Sequence, residues 1–261
     1  QNGIQFDNYW LTGDLNIIEN NQRNLDDFSL LLSDIHSRKL LDKIINYRIS
    51  GNPFQLGDYS ATSETYMPSD LLWIDKSSGP INVVDGGAHI GDTLESFLKA
   101  GFSINTWKAF EPDLENYLRL EILANRVSNN CKVETYNQAL WSNSTVLQFT
   151  RSGNDNTGSH INDIGGISVS TTSIDDIMKN TRCDFIKLDI EGAELNALEG
   201  AKQTILRDKP NLAISIYHKP QDLWEIPLMI SSIGINYKYY LRSHSEQTFD
   251  TVLYCTSGWN T

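Results

Sequence analysis

Three stretches of this sequence place chemically able residues at the end of an apolar run. The first is VVDGGAHIGDT, residues 83–93, where Asp85, Gly86, Gly87, Ala88, His89, Gly91, Asp92 and Thr93 follow a short β-branched segment. Glycines there bare the backbone at the entry to a helix, an arrangement that can receive a ligand, although a tight strand-to-helix turn alone would need them too. A dinucleotide fingerprint would require glycine at Ala88, and no Gly-Lys-Ser/Thr follows to make a phosphate loop. The second is Glu111, 26 residues beyond Asp85 and followed by Pro112 and Asp113. A carboxylate at a strand end can accept from both hydroxyls of a ribose, which suits an adenosyl cofactor without choosing which. Its plainer reading is a solvated strand end with Asp113 capping the next helix. The third is DFIKLDIEGAE, residues 184–194, where Lys187, Asp189 and Glu191 alternate with Ile186, Leu188 and Ile190. Charges at the end of a core strand need partners. A salt bridge from Lys187 to an acid would be the structural answer, and a site in the crevice outside the strand ends the functional one.

The histidines divide by position. His36 falls in an expected helix and His160 in the Gly/Ser-rich segment 152–166, and neither receives a role. His218 and His244 each follow an expected strand, where a neutral imidazole could take a proton from a hydroxyl; a structural or solvated histidine is the alternative for both. Their spacing matches no metal signature, and Asp189 with one histidine is an incomplete ligand set, so no metal is expected. Tyr66, in Glu-Thr-Tyr-Met-Pro just before the core, could line a cofactor pocket or simply pack.

These residues must be held by elements readable from periodicity. Strands are expected at 81–84, 106–110, 133–137, 146–149, 184–190 and 212–217, with helices at 92–100, 114–125, 173–178, 193–206 and 223–233. The helix after Glu111 is expected to use Leu114, Leu118 and Ile122 as one side, and 193–206 to approach a sheet through Ala193, Ala197 and Ala201. Ser173 and Asp176 resemble a capping box. Segments 237–241 and 251–255 are expected to pair as antiparallel edge strands. Residues 24–47 read as one or two helices with an apolar face of Phe28, Leu31, Leu32, Ile35, Leu40, Leu41, Ile44 and Ile45, ended by Gly51 and Pro53. The alternation predicts an α/β fold, a mostly parallel sheet covered by helices on both faces. Residues 1–78 would form a helical cap or extension and 79–261 the main domain.

Composition narrows the class. A chain of 261 residues with 39% hydrophobic and 21% charged residues can bury one large core. Net charge is -12, from 33 acidic against 21 basic residues, with no basic run to follow phosphates, so nucleic acid is not an expected partner. Cys131, Cys183 and Cys255 are far apart and read as buried thiols of a reducing, cytoplasmic compartment. No stretch has the length and apolarity of a membrane span. The sequence begins at Gln1 without a signal-peptide pattern, which leaves a removed leader or a neighbouring domain open.

Asp85, Gly87 and Gly91 have the acid-x-Gly-x-x-x-Gly spacing of the first motif of class I S-adenosylmethionine methyltransferases, with His89 where many of those have glycine. VVDGGAHIGDT, AFEPD, SIDDI, DFIKLDIEGAELNALEGA, YYLRSH and TVLYC together resemble the FkbM family of those enzymes, continuously from about Val83 to Cys255. The resemblance implies a Rossmann-like class I fold with a seven-stranded sheet and antiparallel terminal strands. It implies methyl transfer from S-adenosyl-L-methionine to an oxygen, commonly a hydroxyl of a sugar, glycan or secondary metabolite. Carried onto this sequence, Asp85 and the backbone to Gly91 would surround the methionine part, with His89, Asp92 and Thr93 beside them. Glu111 and Pro112 would hold the ribose, and Gln138 and Ala139 the adenine edge. Asp189 and Glu191 would stand where cofactor meets acceptor, with His218 as base and His244 in reserve. A homo-oligomer is compatible with this. A nicotinamide oxidoreductase and a noncatalytic carbohydrate-binding protein are the competing classes; no Tyr-x-x-x-Lys pair supports the first.

Overall fold

Short β-branched runs alternating with amphipathic segments build the expected α/β architecture in a computed structural model that describes residues 15–50, 65–71, 79–150, 160–161, 166–245 and 249–257. The elements in chain order are α1 (Leu15–Asn20), α2 (Gln22–Leu31), α3 (Ile35–Ser50), β1 (Ile81–Gly86), α4 (Asp92–Lys99), β2 (Ile104–Phe110), α5 (Leu114–Val127), β3 (Lys132–Tyr136), β4 (Ala139–Leu140), β5 (Val146–Thr150), β6 (His160–Ile161), β7 (Ile167–Thr172), α6 (Ile174–Met178), β8 (Phe185–Leu188), α7 (Glu194–Glu199), α8 (Lys202–Asp208), β9 (Asn211–Ser215), α9 (Asp222–Ser232), β10 (Lys238–Ser243) and β11 (Thr251–Thr256). Seven strands form a sheet in the order β10-β11-β9-β8-β1-β2-β3, a class I methyltransferase-like order. β1 pairs in parallel with both β2 and β8, and β10 and β11 are antiparallel. From β1 the chain moves to β2 and β3 on one side and returns to β8 and β9 on the other. The switch point, where ligands of open α/β sheets collect, is therefore at the carboxyl ends of β1 and its neighbours.

The chain divides into two compact units, Leu72–Ile214 and Gln1–Leu71 with Ser215–Thr261. In the first, β1 and β8 are buried almost throughout, and Phe97 of α4 packs on Trp107 and Phe185 at centroid distances of 5.3 and 5.5 Å. Asp113 caps α5 by accepting from the amides of Glu115 and Asn116. Leu114, Leu118 and Ile122 are exposed rather than buried, however, because Asn116, Leu120 and Leu123 form the row that faces the protein. Apolar residues lie on two nearly opposite sides of this helix, and spacing alone did not choose between them.

There are two further departures, the first with a visible cause. The expected helix over 193–206 is two, broken at Gly200 and Ala201. A Cβ on Gly200 would stand 2.3 Å from the carbonyl oxygen of Trp141, and the Asp175 carboxylate accepts from the amides of Gln203 and Thr204, starting α8 from outside. β4, β7, β5 and β6 make a separate four-stranded sheet that was not expected. Ser173 does cap α6, its hydroxyl accepting from the Asp176 amide.

In the second unit, residues 24–47 fall in two helices that break around Leu32. Leu32 bridges Tyr239, the Ser33 amide donates to the Tyr239 carbonyl at 2.8 Å, and the Ser37 hydroxyl accepts from the Leu241 amide at 2.8 Å. The N-terminal helices thus pair with the strand β10. Arg242, itself buried, joins Asp34 and Asp70 at 2.9 and 2.7 Å. Ile35 is exposed at the start of α3, contrary to its expected place on the apolar face. Gly51 and Pro53 lie outside the described residues, as does most of 152–166. All three cysteines are buried free thiols. Among the described residues no helix is long and apolar enough to cross a membrane.

Candidate functional site

The turn after β1 shows why it needs glycine. Gly87 has φ +70°, and a Cβ there would stand 1.8 Å from the carbonyl oxygen of Asp189; Gly91 has φ +94°, and its Cβ would meet Leu123 at 2.2 Å. His89 and Glu191 take positive φ without being glycine, at 49° and 55°. Left-handed residues thus cluster at the ends of the two neighbouring central strands, where strained backbone commonly marks function.

The turn's amides are engaged by the protein. Those of Gly87 and Ala88 both donate to the Phe110 carbonyl at 3.0 Å, that of His89 to Glu111 Oε2 at 2.9 Å, and that of Gly91 to the Ala88 carbonyl at 2.8 Å. At the head of α4 the Asp92 carboxylate lies 3.7 Å from His89 Nδ1. An acid therefore occupies the place where an anion would dock.

Behind the turn, Asp85 is completely buried. Its Oδ2 accepts from Trp107 Nε1 at 3.1 Å, and its Oδ1 lies 3.1 Å from Lys187 Nζ. Lys187 also donates to the carbonyls of Gly86 and Gly87, at 2.9 and 2.6 Å. Burial pulls the Lys187 pKa down, but the carboxylates of Asp85 and Asp189 push it further up, and the ammonium stays charged.

Glu111, at the end of β2, is buried, and its two oxygens accept from the amides of His89 and Asp113. Burial pushes its pKa up to about 7 against those two hydrogen bonds and the nearby His89. The His89 pKa is raised by the Asp92 carboxylate against the opposing effect of partial burial. Asn137, after β3, donates to the carbonyls of Glu111 and Pro112 at 2.9 and 3.1 Å and ties the two strand ends together. Next to it Gln138 reaches Ser170 Oγ at 3.4 Å and Ala139 is buried at the start of β4. Thr93 is buried in the first turn of α4.

The structure therefore gathers Asp85, Gly86, Gly87, Ala88, His89, Asp92 and Glu111 at one end of the sheet. The turn after β8 joins them, since the Asp189 amide donates to the Gly86 carbonyl at 3.2 Å. In the other unit, Tyr66 and His244 meet through a residue that sequence reasoning passed over. Tyr254 Oη accepts from the Tyr66 amide at 3.1 Å and lies 2.8 Å from His244 Nε2. His218 follows β9, buried, with its ring against Tyr217 at 4.1 Å. Lys187 and Trp107 were missed as partners of Asp85; strand register, which pairs Asp85 with Lys187 across β1 and β8, is the signal that finds the lysine, whereas Trp107 stands opposite Val83 in the register of β1 and β2.

The profile of the methyltransferase FkbM domain matches residues 85–244. The crystal structure of methyltransferase FkbM from Methylobacillus flagellatus KT is similar over 92% of this chain, at 27% identity and a TM-score of 0.78; this chain spans 60% of that one's length. The N-terminal domain of human METTL16, crystallised in complex with SAH, matches over 71% of this chain and 64% of its own at 14% identity and a TM-score of 0.43. No curated protein matches the sequence.

Proposed function

Because the chain belongs to the FkbM methyltransferase family, we propose that it is an S-adenosylmethionine-dependent O-methyltransferase acting on a hydroxyl of a sugar, glycan or related metabolite. The observation that carries the cofactor assignment is the polarity of the β1 turn. Its amides at Gly87, Ala88, His89 and Gly91 are engaged internally, and Asp92 heads α4. A pyrophosphate needs open amides and no acid, whereas a cationic ligand is favoured beside Asp92, Asp189 and Glu191. This disfavours the nicotinamide reading. Glu111 retains acceptor capacity beyond its two amide partners and suits a ribose diol.

In this reading the turn, with Asp85 behind it and His89, Asp92 and Thr93 beside it, surrounds the methionine part. Glu111 and Pro112 hold the ribose, and Gln138 and Ala139 border the adenine, with Tyr66 a further lining residue. When bound, the cofactor supplies an electrophilic methyl on a sulfonium. The chain's task is to align an acceptor oxygen and remove its proton, a base contributing about 10²–10⁴-fold. We assign His218 as that base, with Asp189 and Glu191 orienting the hydroxyl. His244 is the reserve, its Nε2 2.8 Å from the Tyr254 hydroxyl; as base it uses the tautomer in which Nε2 donates to Tyr254 and the lone pair is on Nδ1.

Calorimetric titration with S-adenosylmethionine, S-adenosylhomocysteine and NAD tests the cofactor, and binding of NAD alone overturns the assignment. Methyl transfer to a panel of glycans, phenols and amines tests the acceptor. His218→Ala is expected to bind cofactor normally and to lose about 10²-fold or more in turnover. Full turnover across the pH range with chemistry rate-limiting would remove His218 from the role.

A further inference from the structure

We propose that Lys187 is a positioning residue for the turn after β1, an inference that rests on reading that turn as the cofactor site. In an extended chain consecutive carbonyls point to opposite sides. Here Gly87, with φ +70°, stands between the carbonyls of Gly86 and Gly87, and both oxygens converge on one ammonium at 2.9 and 2.6 Å. The opposite edge of the same two peptides is held from β2, where the Phe110 carbonyl receives the amides of Gly87 and Ala88; Glu111 receives the amide of His89 in the next peptide. The turn is thus gripped from both neighbouring strands, by its carbonyls from β8 and by its amides from β2.

Asp85 makes the grip tolerable. A lone ammonium would be costly in a strand whose four residues are all buried, and Asp85 is the direct register partner of Lys187. Charge balance alone does not explain the lysine, since a buried ion pair is often no more stable than apolar residues of the same volume. A methionine at 187 could fill the space and could not bind two carbonyls.

Three variants separate the grip from the charge pair: Lys187→Met, Asp85→Asn, and the two combined. Hydrogen exchange of the amides of Gly87, Ala88 and His89 is measured in the ligand-free chain, together with the thermal midpoint and the affinity for S-adenosylhomocysteine. Lys187→Met is expected to lower the midpoint and speed exchange at the turn. The double variant, which leaves no unpaired charge, should recover much of the midpoint while exchange stays faster and binding weaker than wild type, each by about tenfold or more. Asp85→Asn, which keeps the carbonyl contacts, should retain slow exchange at the turn. Recovery of wild-type exchange and affinity in the double variant, or loosening in Asp85→Asn equal to that in the double, would overturn the proposal and leave Lys187 as the counter-ion of Asp85. If Lys187→Met does not fold, the other two variants decide. If the wild type does not bind S-adenosylhomocysteine, the cofactor reading fails, while exchange without ligand still judges the grip.

Discussion

Two lysine–acid pairs bridge neighbouring parallel strands of the sheet, Asp85 with Lys187 across β1 and β8, and Lys108 with Glu134 across β2 and β3. Each is a pair of direct register partners. The inner side chains are 0% and 3% exposed, the outer ones 10% for the lysine and 24% for the acid. They differ more in which member is the hub. In the outer pair it is the acid. Glu134 also takes Lys132 at 2.5 Å and the Tyr136 hydroxyl at 2.8 Å, and against the upward push of burial these partners hold its pKa down at about 2. In the inner pair it is the lysine, which also binds two carbonyls of the turn. Side chains gathered round an acid at the end of the sheet fasten strand to strand. Backbone gathered round a lysine at the centre fastens the turn after β1 to β8.

The largest test of that contrast is Lys187→Met, which leaves Asp85 buried without its counter-charge and is expected to cost about 3–5 kcal/mol of stability in denaturant titration. A loss below about 1 kcal/mol would make the two pairs equivalent. A middle-sized effect comes from Glu111, which sharpens the contrast with Glu134 because the two acids are shifted in opposite directions. Burial raises Glu111 from 4.5 to about 7. The folded chain therefore binds that proton more tightly than the unfolded one, and the contribution to stability is present below pH 4.5 and lost as pH rises through 7. Glu134, lowered to about 2, contributes stability above pH 4.5 that is lost as pH falls through 2. Glu111→Gln should remove up to about 3 kcal/mol of the decline between those first two pH values, read from denaturation curves at several pH values. An unchanged slope would mean that Glu111 titrates normally. The smallest effect is expected from Lys108→Met. Glu134 keeps Lys132 and Tyr136, so stability should fall by no more than about 1 kcal/mol and cofactor affinity should not change. Weakened binding there would deny the inner pair its special role.

The strand ends that gather at the candidate site were legible in the sequence because each β-branched run stops at a residue unsuited to a core. Asp85, Glu111 and Asp189 are such residues, and Asp113 and Ser173 announced their helices by cap chemistry. The partners of those residues were less legible. Lys187 lies 102 positions from Asp85, and periodicity within a strand carries no information about register with another. Gly200 falls inside the expected helix 193–206, and nothing in its sequence neighbourhood points to the Trp141 carbonyl that stands against it. The stripe of Leu114, Leu118 and Ile122 misled because apolar residues on a helix do not say which side is covered. Tyr254, which joins Tyr66 to His244, sits in a strand whose six residues are all buried, and nothing local distinguished its hydroxyl from the packing around it.

The close approach of Gly87 to the Asp189 carbonyl has a consequence for how such a chain can be rebuilt or inherited. Two segments about a hundred positions apart share one clearance, so neither can be exchanged on its own. A chimaera that takes residues 83–93 from one relative and 184–194 from another joins backbones shaped against different neighbours. Recombination that keeps the two segments together preserves the fit, and a crossover between them inherits one half of a joint.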